Sequence, residues 1–163
     1  MLDPNSGTTD GRLVMTITSN TPASDRGFRY VNPALICDGA SMRAQCRQLA
    51  TVITVKGVVD GGNIERVTDF INRYVLPEKP VVIDLSGVNG FAPHCISLFY
   101  DVDERCSARG VDWAVIASPS VIAELRLEDA GVPLTASVPE ALHHFAEGIL
   151  ARRRLLPLLT KSA

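Results

Sequence analysis

No apolar run in this chain approaches the roughly 20 residues that cross a bilayer. Its first residues also lack a charged stretch followed by an apolar one, the pattern of a secretory leader. The expectation is a cytoplasmic protein with no membrane contact. An excess of either charge is missing too: 16 Lys and Arg stand against 18 Asp and Glu, for a formal net charge of −2 and a pI near 5.9. Domains that bind nucleic acid are normally strongly basic because they neutralise phosphates, so nucleic acid is not expected as a partner. The four cysteines, Cys37, Cys46, Cys95 and Cys106, form no Cys-x-x-Cys pair. Reduced thiols are therefore expected rather than disulfides. Cys95 and Cys106 would sit about three turns apart on one helix, roughly 16 Å, too far to bridge.

Several catalytic signatures are absent as well. The chain has no Gly-x-x-x-x-Gly-Lys-Ser/Thr loop and no Gly-x-Ser-x-Gly elbow. His94-Cys95 after a strand invites comparison with cysteine phosphatases, but that chemistry needs an arginine six positions after the cysteine to grip phosphate. Asp101 stands there and would repel it. His143 and His144 are adjacent, so on a helix they point about 100° apart and share no face. His94 and Cys95 have no third donor at ligand spacing. No catalytic residue, metal or other cofactor is expected.

What is present fits one domain: 163 residues suffice for a real core with some extra length at the ends. Residues 1–30 read as an extension, polar over Met1–Gly11, with an accessory strand over Arg12–Ser19 and a loop over Thr21–Gly27. Residues 31–150 read as the domain. Ala34–Cys37 and Met42–Cys46 form a first hairpin around an Asp38-Gly39 turn, and Thr51–Gly57 alternates as a strand. In Asn63–Leu76 the residues Ile64, Val67, Phe70, Ile71, Tyr74 and Val75 trace an apolar helical stripe, with Asn63 as N-cap and Pro77 as the stop.

Val81–Phe99, VVIDLSGVNGFAPHCISLF, is the most informative stretch. Val81, Val82 and Ile83 suit a strand buried on both faces, ended by Asp84. Asn89-Gly90 reads as a turn, and His94–Arg109 reads as a helix burying Ile96, Phe99, Val102 or Asp103, and Cys106. Downstream, Asp112–Ser118 is a buried strand, Ser120–Ala130 a short helix and Leu134–Ala136 a last short strand. Ser137 and Glu140 then open a terminal helix as a Ser-x-x-Glu capping box, with Pro139 in its first turn, burying Ala141, Leu142, Phe145 and Ile149. Residues 151–163 form a basic and apolar extension. Arg152, Arg153 and Arg154 complement the negative helix end, and Leu155–Leu159 packs back on the domain or joins a homodimer contact.

The order and spacing of these pieces, with Asp84-Leu85-Ser86-Gly87-Val88 at their centre, resemble the STAS domain family, named for sulfate transporters and anti-sigma factor antagonists. The resemblance covers about Ala40 to Phe145. It implies an α/β fold with a mixed central sheet of about four to six strands and about four helices packed mainly on one side. The family usually continues Asp-Ser-Ser-Gly where this chain has Ala92, Pro93, His94 and Cys95, and the second of those serines is the phosphoacceptor of many anti-sigma factor antagonists. His94 occupies that place, so the ordinary phosphoswitch is expected to be absent. Ser86 and Ser97 do not match the family's spacing as substitutes.

The resemblance further implies a non-catalytic protein-interaction domain whose partner is an anti-sigma factor with a serine-kinase fold, or another STAS protein. The expected partner face comprises the turn Asp60, Gly61, Gly62 and Asn63, together with Asn89, Phe91, Ala92, Pro93, His94 and Cys95. Phe91 and Pro93 supply apolar contact, Asp60 a charge, and His94 a pH-sensitive polar group. Two alternatives stand beside this: a scaffold or small-ligand module whose loop has lost the anti-sigma partner, and a thiol sensor using Cys95 with a lowered pKa.

Overall fold

The computed structural model describes residues 33–159. The accessory strand expected over Arg12–Ser19 lies outside the described residues. Five strands, β1 (Leu35–Cys37), β2 (Ala40–Cys46), β3 (Thr51–Val59), β4 (Val81–Phe91) and β5 (Trp113–Ala117), form one sheet in sequence order. β1, β2 and β3 pair antiparallel, whereas β3, β4 and β5 pair parallel. This is the expected mixed sheet. Antiparallel neighbours need only tight turns, while each parallel step needs a crossover. The helices α1 (Ile64–Arg73) and α2 (Ser97–Arg109) supply those crossovers, and α3 (Pro119–Leu125) and α4 (Val138–Leu159) follow β5.

Strand alternation divides the core. Ile53, Val55, Ile83, Leu85 and Val115 face α1, α2 and α3, and with Val67, Ile71, Leu98 and Phe99 they form the main core. The intervening Val52, Val82, Ala114 and Ile116 face the other way and are covered by Ala141 and Phe145 of α4. Among the described residues, three α-helices therefore lie on one face and one on the other.

The hairpin turn is as expected: Asp38 and Gly39 both have positive φ, 39° and 90°, the backbone of a type I′ connection. Beside it Gly57 has φ 96°, and a β-carbon there would overlap the Gly39 carbonyl oxygen. Only glycine lets β3 pass the turn so closely.

Three expectations need correction. β4 does not end at Asp84, and Asn89-Gly90 is not a turn, because the strand continues to Phe91. Its partnership with β3 carries two register shifts, each adding one residue to β4: Thr54 and Lys56 pair with Asp84 and Gly87, then Gly57 and Val58 pair with Val88 and Gly90. Such bulges reset the alternation. Leu85, Val88 and Phe91 are consequently all buried at three-residue spacing, which does not look like a strand in sequence. The last strand, expected over Leu134–Ala136, is a single parallel bridge between Leu134 and Val115. Finally, α4 runs on to Leu159, so the three arginines lie within the helix rather than at its end, and Arg152 pairs with Asp112 at 2.6 Å.

Helix ends differ, most at α3, where the expected Ser120–Ala130 is helical only to Leu125 and residues 126–130 are a turn. α3 starts at Pro119 behind a Ser118 cap and stops where Arg126 turns left-handed at φ 50°. At α4, Ser137 Oγ accepts from Glu140 N at 3.3 Å, and Glu140 Oε2 accepts from Ala136 N at 2.7 Å, a capping box displaced by one residue.

Candidate functional site

The parallel pairing of β3 with β4 brings the two halves of the expected face together. Val59 pairs with Phe91, and Ala92 N donates to the Val59 carbonyl at 2.9 Å. From these adjacent strand ends the chain leaves β3 through Asp60–Asn63 into α1, and leaves β4 through Ala92 into a short 3₁₀ turn, Pro93–Ile96, that leads into α2. The expected helix start at His94 is thus a 3₁₀ turn, with the α-helix beginning at Ser97.

Asn63 holds the first loop in place, but not as a conventional cap. It precedes α1 with no side-chain bond to the helix N–H groups. Its side chain is buried instead: Oδ1 accepts from Asp60 N at 3.0 Å, while Nδ2 donates to the carbonyls of Val58 at 2.8 Å and Asp38 at 3.0 Å. One amide ties the β3 end, the site turn and the β1–β2 hairpin turn together. Asp60 Oδ1 accepts from Gly62 N at 2.8 Å, closing the turn on itself.

His94 reaches across from the other loop. A β-carbon on Gly61 would lie 3.1 Å from His94 Nε2, so the imidazole rests on the bare backbone of that glycine. Asp60, Gly61, Gly62, Asn89, Pro93 and His94 are exposed, and Ala92 is half-buried. Phe91 is not the apolar contact expected of it, because it is buried and stacks on Phe99 with centroids 5.6 Å apart and planes at 19°. Asn63 and Cys95 are buried as well. The surface available to a partner is therefore the Asp60–Gly62 backbone with Asn89, Pro93 and His94.

Burial, and secondarily the charge of Asp60, push the Cys95 thiol pKa up. That is opposite to the lowered value a sensor thiol needs, because both influences disfavour the thiolate. Cys106 is likewise pushed up to about 11 by burial and by Asp103. His143 and His144 are exposed and approach Glu147 and Glu140 at 3.3 and 3.8 Å, and among the described residues no group of His, Cys, Asp and Glu could hold a metal.

Two exposed residues beside this face escaped the sequence reading. Val58 is 42% exposed at the end of β3 next to Gly90, and Tyr100 is 56% exposed one turn into α2. Tyr100 stands off the apolar stripe, an exposed aromatic position that helical periodicity alone could have marked. Val58 follows the regular alternation of β3, on the side of Thr54 and Lys56, and strand alternation could have marked it as well. Of the substitute acceptors, Ser97 is exposed at the first turn of α2, whereas Ser86 lies on β4 and donates to Asp84 Oδ1 at 2.6 Å.

A mixed five-stranded sheet, with helices entered from adjacent parallel strand ends, defines a known class, and the chain belongs to it: residues 41–138 match the STAS domain family. Within that class it is similar to Osmosensory protein A of Mycobacterium tuberculosis, 38% identical over 158 residues that span 93% of this chain and 100% of the relative. The fold is shared with two solved structures. An anti-sigma factor antagonist from Mycobacterium paratuberculosis superposes with a TM-score of 0.58 at 21% identity, covering 66% of this chain and 94% of that one. The anti-sigma factor antagonist SpoIIAA in its unphosphorylated form gives 0.55 at 13% identity, covering 65% and 96%. Among the described residues no helix is long and apolar enough to cross a membrane.

Proposed function

We propose that this protein is a non-catalytic interaction domain of the anti-sigma factor antagonist kind, fixed in the state that its relatives reach without phosphate. Its partner is an anti-sigma factor with a serine-kinase fold, docked on Asp60–Gly62, Asn89, Pro93 and His94. The observation that carries this reading is His94 itself, exposed and seated on Gly61 at the junction of the two strand ends. A serine at that position would receive a phosphoryl group from a serine kinase and place a double negative charge beside Asp60. An imidazole offers that kinase no hydroxyl. Regulation then follows from the abundance of the protein rather than from a covalent switch.

The test is affinity capture from native cytoplasm with wild type and His94→Asp side by side, read by mass spectrometry. The aspartate supplies the charge that phosphate would bring. Capture of an anti-sigma kinase by wild type and its loss with His94→Asp is the expected result. Stoichiometric phosphorylation of Ser97 or Ser86 by that kinase would contradict constitutive action. Recovery of other STAS proteins in place of a kinase would favour the scaffold reading.

A further inference from the structure

The second face of the sheet is only partly covered. α4 shields Val52, Val82, Ala114 and Ile116, but among the described residues no helix lies over the neighbouring surface on β2, β3 and β4. The pairing register lays that surface out in rungs. Ile36, Ser41, Lys56 and Gly87 form one; Arg43, Thr54 and Asp84 form the next; Gln45 stands beside Val52, where the cover of α4 begins. Between them lies a depression of about 310 Å³ lined by Ala34, Ser41, Arg43, Gln45, Thr54 and Lys56.

Every polar side chain of that lining can donate. Arg43 and Lys56 are diagonal neighbours across an antiparallel pair, roughly 7–8 Å apart, and neither has an ion-pair partner among the described residues. The Gln45 oxygen accepts from Arg47 Nε and Nη2 at 3.1 and 3.0 Å, which leaves the Gln45 amide hydrogens to point elsewhere. The hydroxyls of Ser41 and Thr54 complete the set. Lys56 is braced across Gly87, where a β-carbon would come within 2.8 Å of its Cγ. Asp84, beside Thr54, is the carboxylate of this region, and its Oδ1 is turned along its own strand to accept from Ser86 N and Oγ at 3.0 and 2.6 Å.

Two unpaired cations flanked by neutral donors are complementary to a compact anion with several acceptor oxygens. The lining offers little for a protein's aromatic or aliphatic anchor to fill, and its volume falls at the small end of small-molecule sites. We propose that this depression binds a small soluble molecule through a phosphoryl group, held by Arg43 and Lys56 with Ser41, Thr54 and Gln45 as supporting donors. The site lies on the other face of the sheet from α1 and α2, so it stands or falls independently of the partner face.

The test titrates the ¹⁵N-labelled full chain with sodium pyrophosphate and, separately, with ADP, at constant ionic strength of about 0.15 M so that general screening does not change. Saturable amide shifts at Arg43, Gln45, Thr54 and Lys56 are expected, unaltered in His94→Asp. Arg43→Gln and Lys56→Gln are each expected to weaken binding about tenfold, the scale of one charged hydrogen bond, with thermal unfolding unchanged because both side chains are exposed. Equal binding of both probes identifies the phosphoryl group alone as the ligand, and tighter ADP identifies a nucleotide. Absence of saturation up to about 5 mM, a concentration beyond millimolar affinity, overturns the proposal, as does binding that survives both substitutions. Tighter binding of a glutamate-rich peptide than of pyrophosphate also overturns it, by making the face a protein-docking surface.

Discussion

The two faces of this sheet are built from the same five strands, yet they are different surfaces. Beneath α1, α2 and α3 the sheet is apolar from β2 to β5 and joins a continuous core that includes Met42, Ile53, Ile83, Leu85, Phe99 and Val115. Beneath α4 a few residues around Phe145 are covered, and the rest of the face carries Arg43, Thr54, Lys56 and Asp84. The first face organises the fold. Among the described residues the second seats one helix, α4, and presents polar side chains beside it.

Substitutions on each face put that difference to the test. Phe99→Ala removes a fully buried ring and its stacking on Phe91. It should cost about 4 kcal/mol in denaturant unfolding, near the middle of the range for buried aromatics. Phe145→Ala, in the smaller and peripheral cluster, should cost about 2 kcal/mol, since solvent and a shifted α4 can fill the space. Equal losses would remove the asymmetry.

Polar residues should show the same contrast. Asn63→Ala strands two carbonyls and an N–H that Asn63 now satisfies, and is expected to cost about 2 kcal/mol. Thr54→Ala, on the open face, should stay within about 0.5 kcal/mol. Amide exchange of Asp60 should accelerate in Asn63→Ala and not in Thr54→Ala.

The first face carries a pH dependence. The Cys106 thiol is pushed up from the usual 9.0 to about 11 by burial and Asp103. The unfolded chain therefore releases this proton at lower pH than the folded one. The contribution of Cys106 is full below pH 9.0 and is lost as pH rises toward about 11. Cys106→Ala should flatten that part of the stability profile. A small effect is expected too at the exposed Arg152–Asp112 pair, where Asp112→Asn should cost less than about 1 kcal/mol.

Much of the first face was legible in sequence because its signals are local. The 3.6-residue stripe of Val67, Phe70, Ile71 and Val75, the β-branched run at Val81–Ile83, the buried strand read over Asp112–Ser118, and the Asp38-Gly39 turn each correspond to a feature of the structure. The end of β4 was not legible, because Ser86–Gly90 is polar and glycine-containing and is held in the strand by pairing to β3 from outside the segment. The candidate site was half legible. The resemblance to the STAS family implied that Asp60–Asn63 and Asn89–Cys95 share a face, but the depth of Phe91, Asn63 and Cys95 depends on packing against α1 and α2. Asn63 illustrates the limit: its N-cap position was readable from the chain, and its three bonds were not.

The paired bulges in β4 act as a spacer. Each inserts one residue that β3 does not match, so β4 uses two more residues than its neighbour to reach the same level. Removing one residue at either bulge would abolish that bulge and restore strict alternation there, with Val88 and Phe91 still facing the core opposite Gly57 and Val59. Removing one at each bulge would restore the alternation and leave β4 as a straight strand, shorter along its contour by roughly 6.6 Å. The length of this strand can thus be tuned one residue at a time at either bulge, without turning Phe91 out of the core or moving the junction at His94 to the other face.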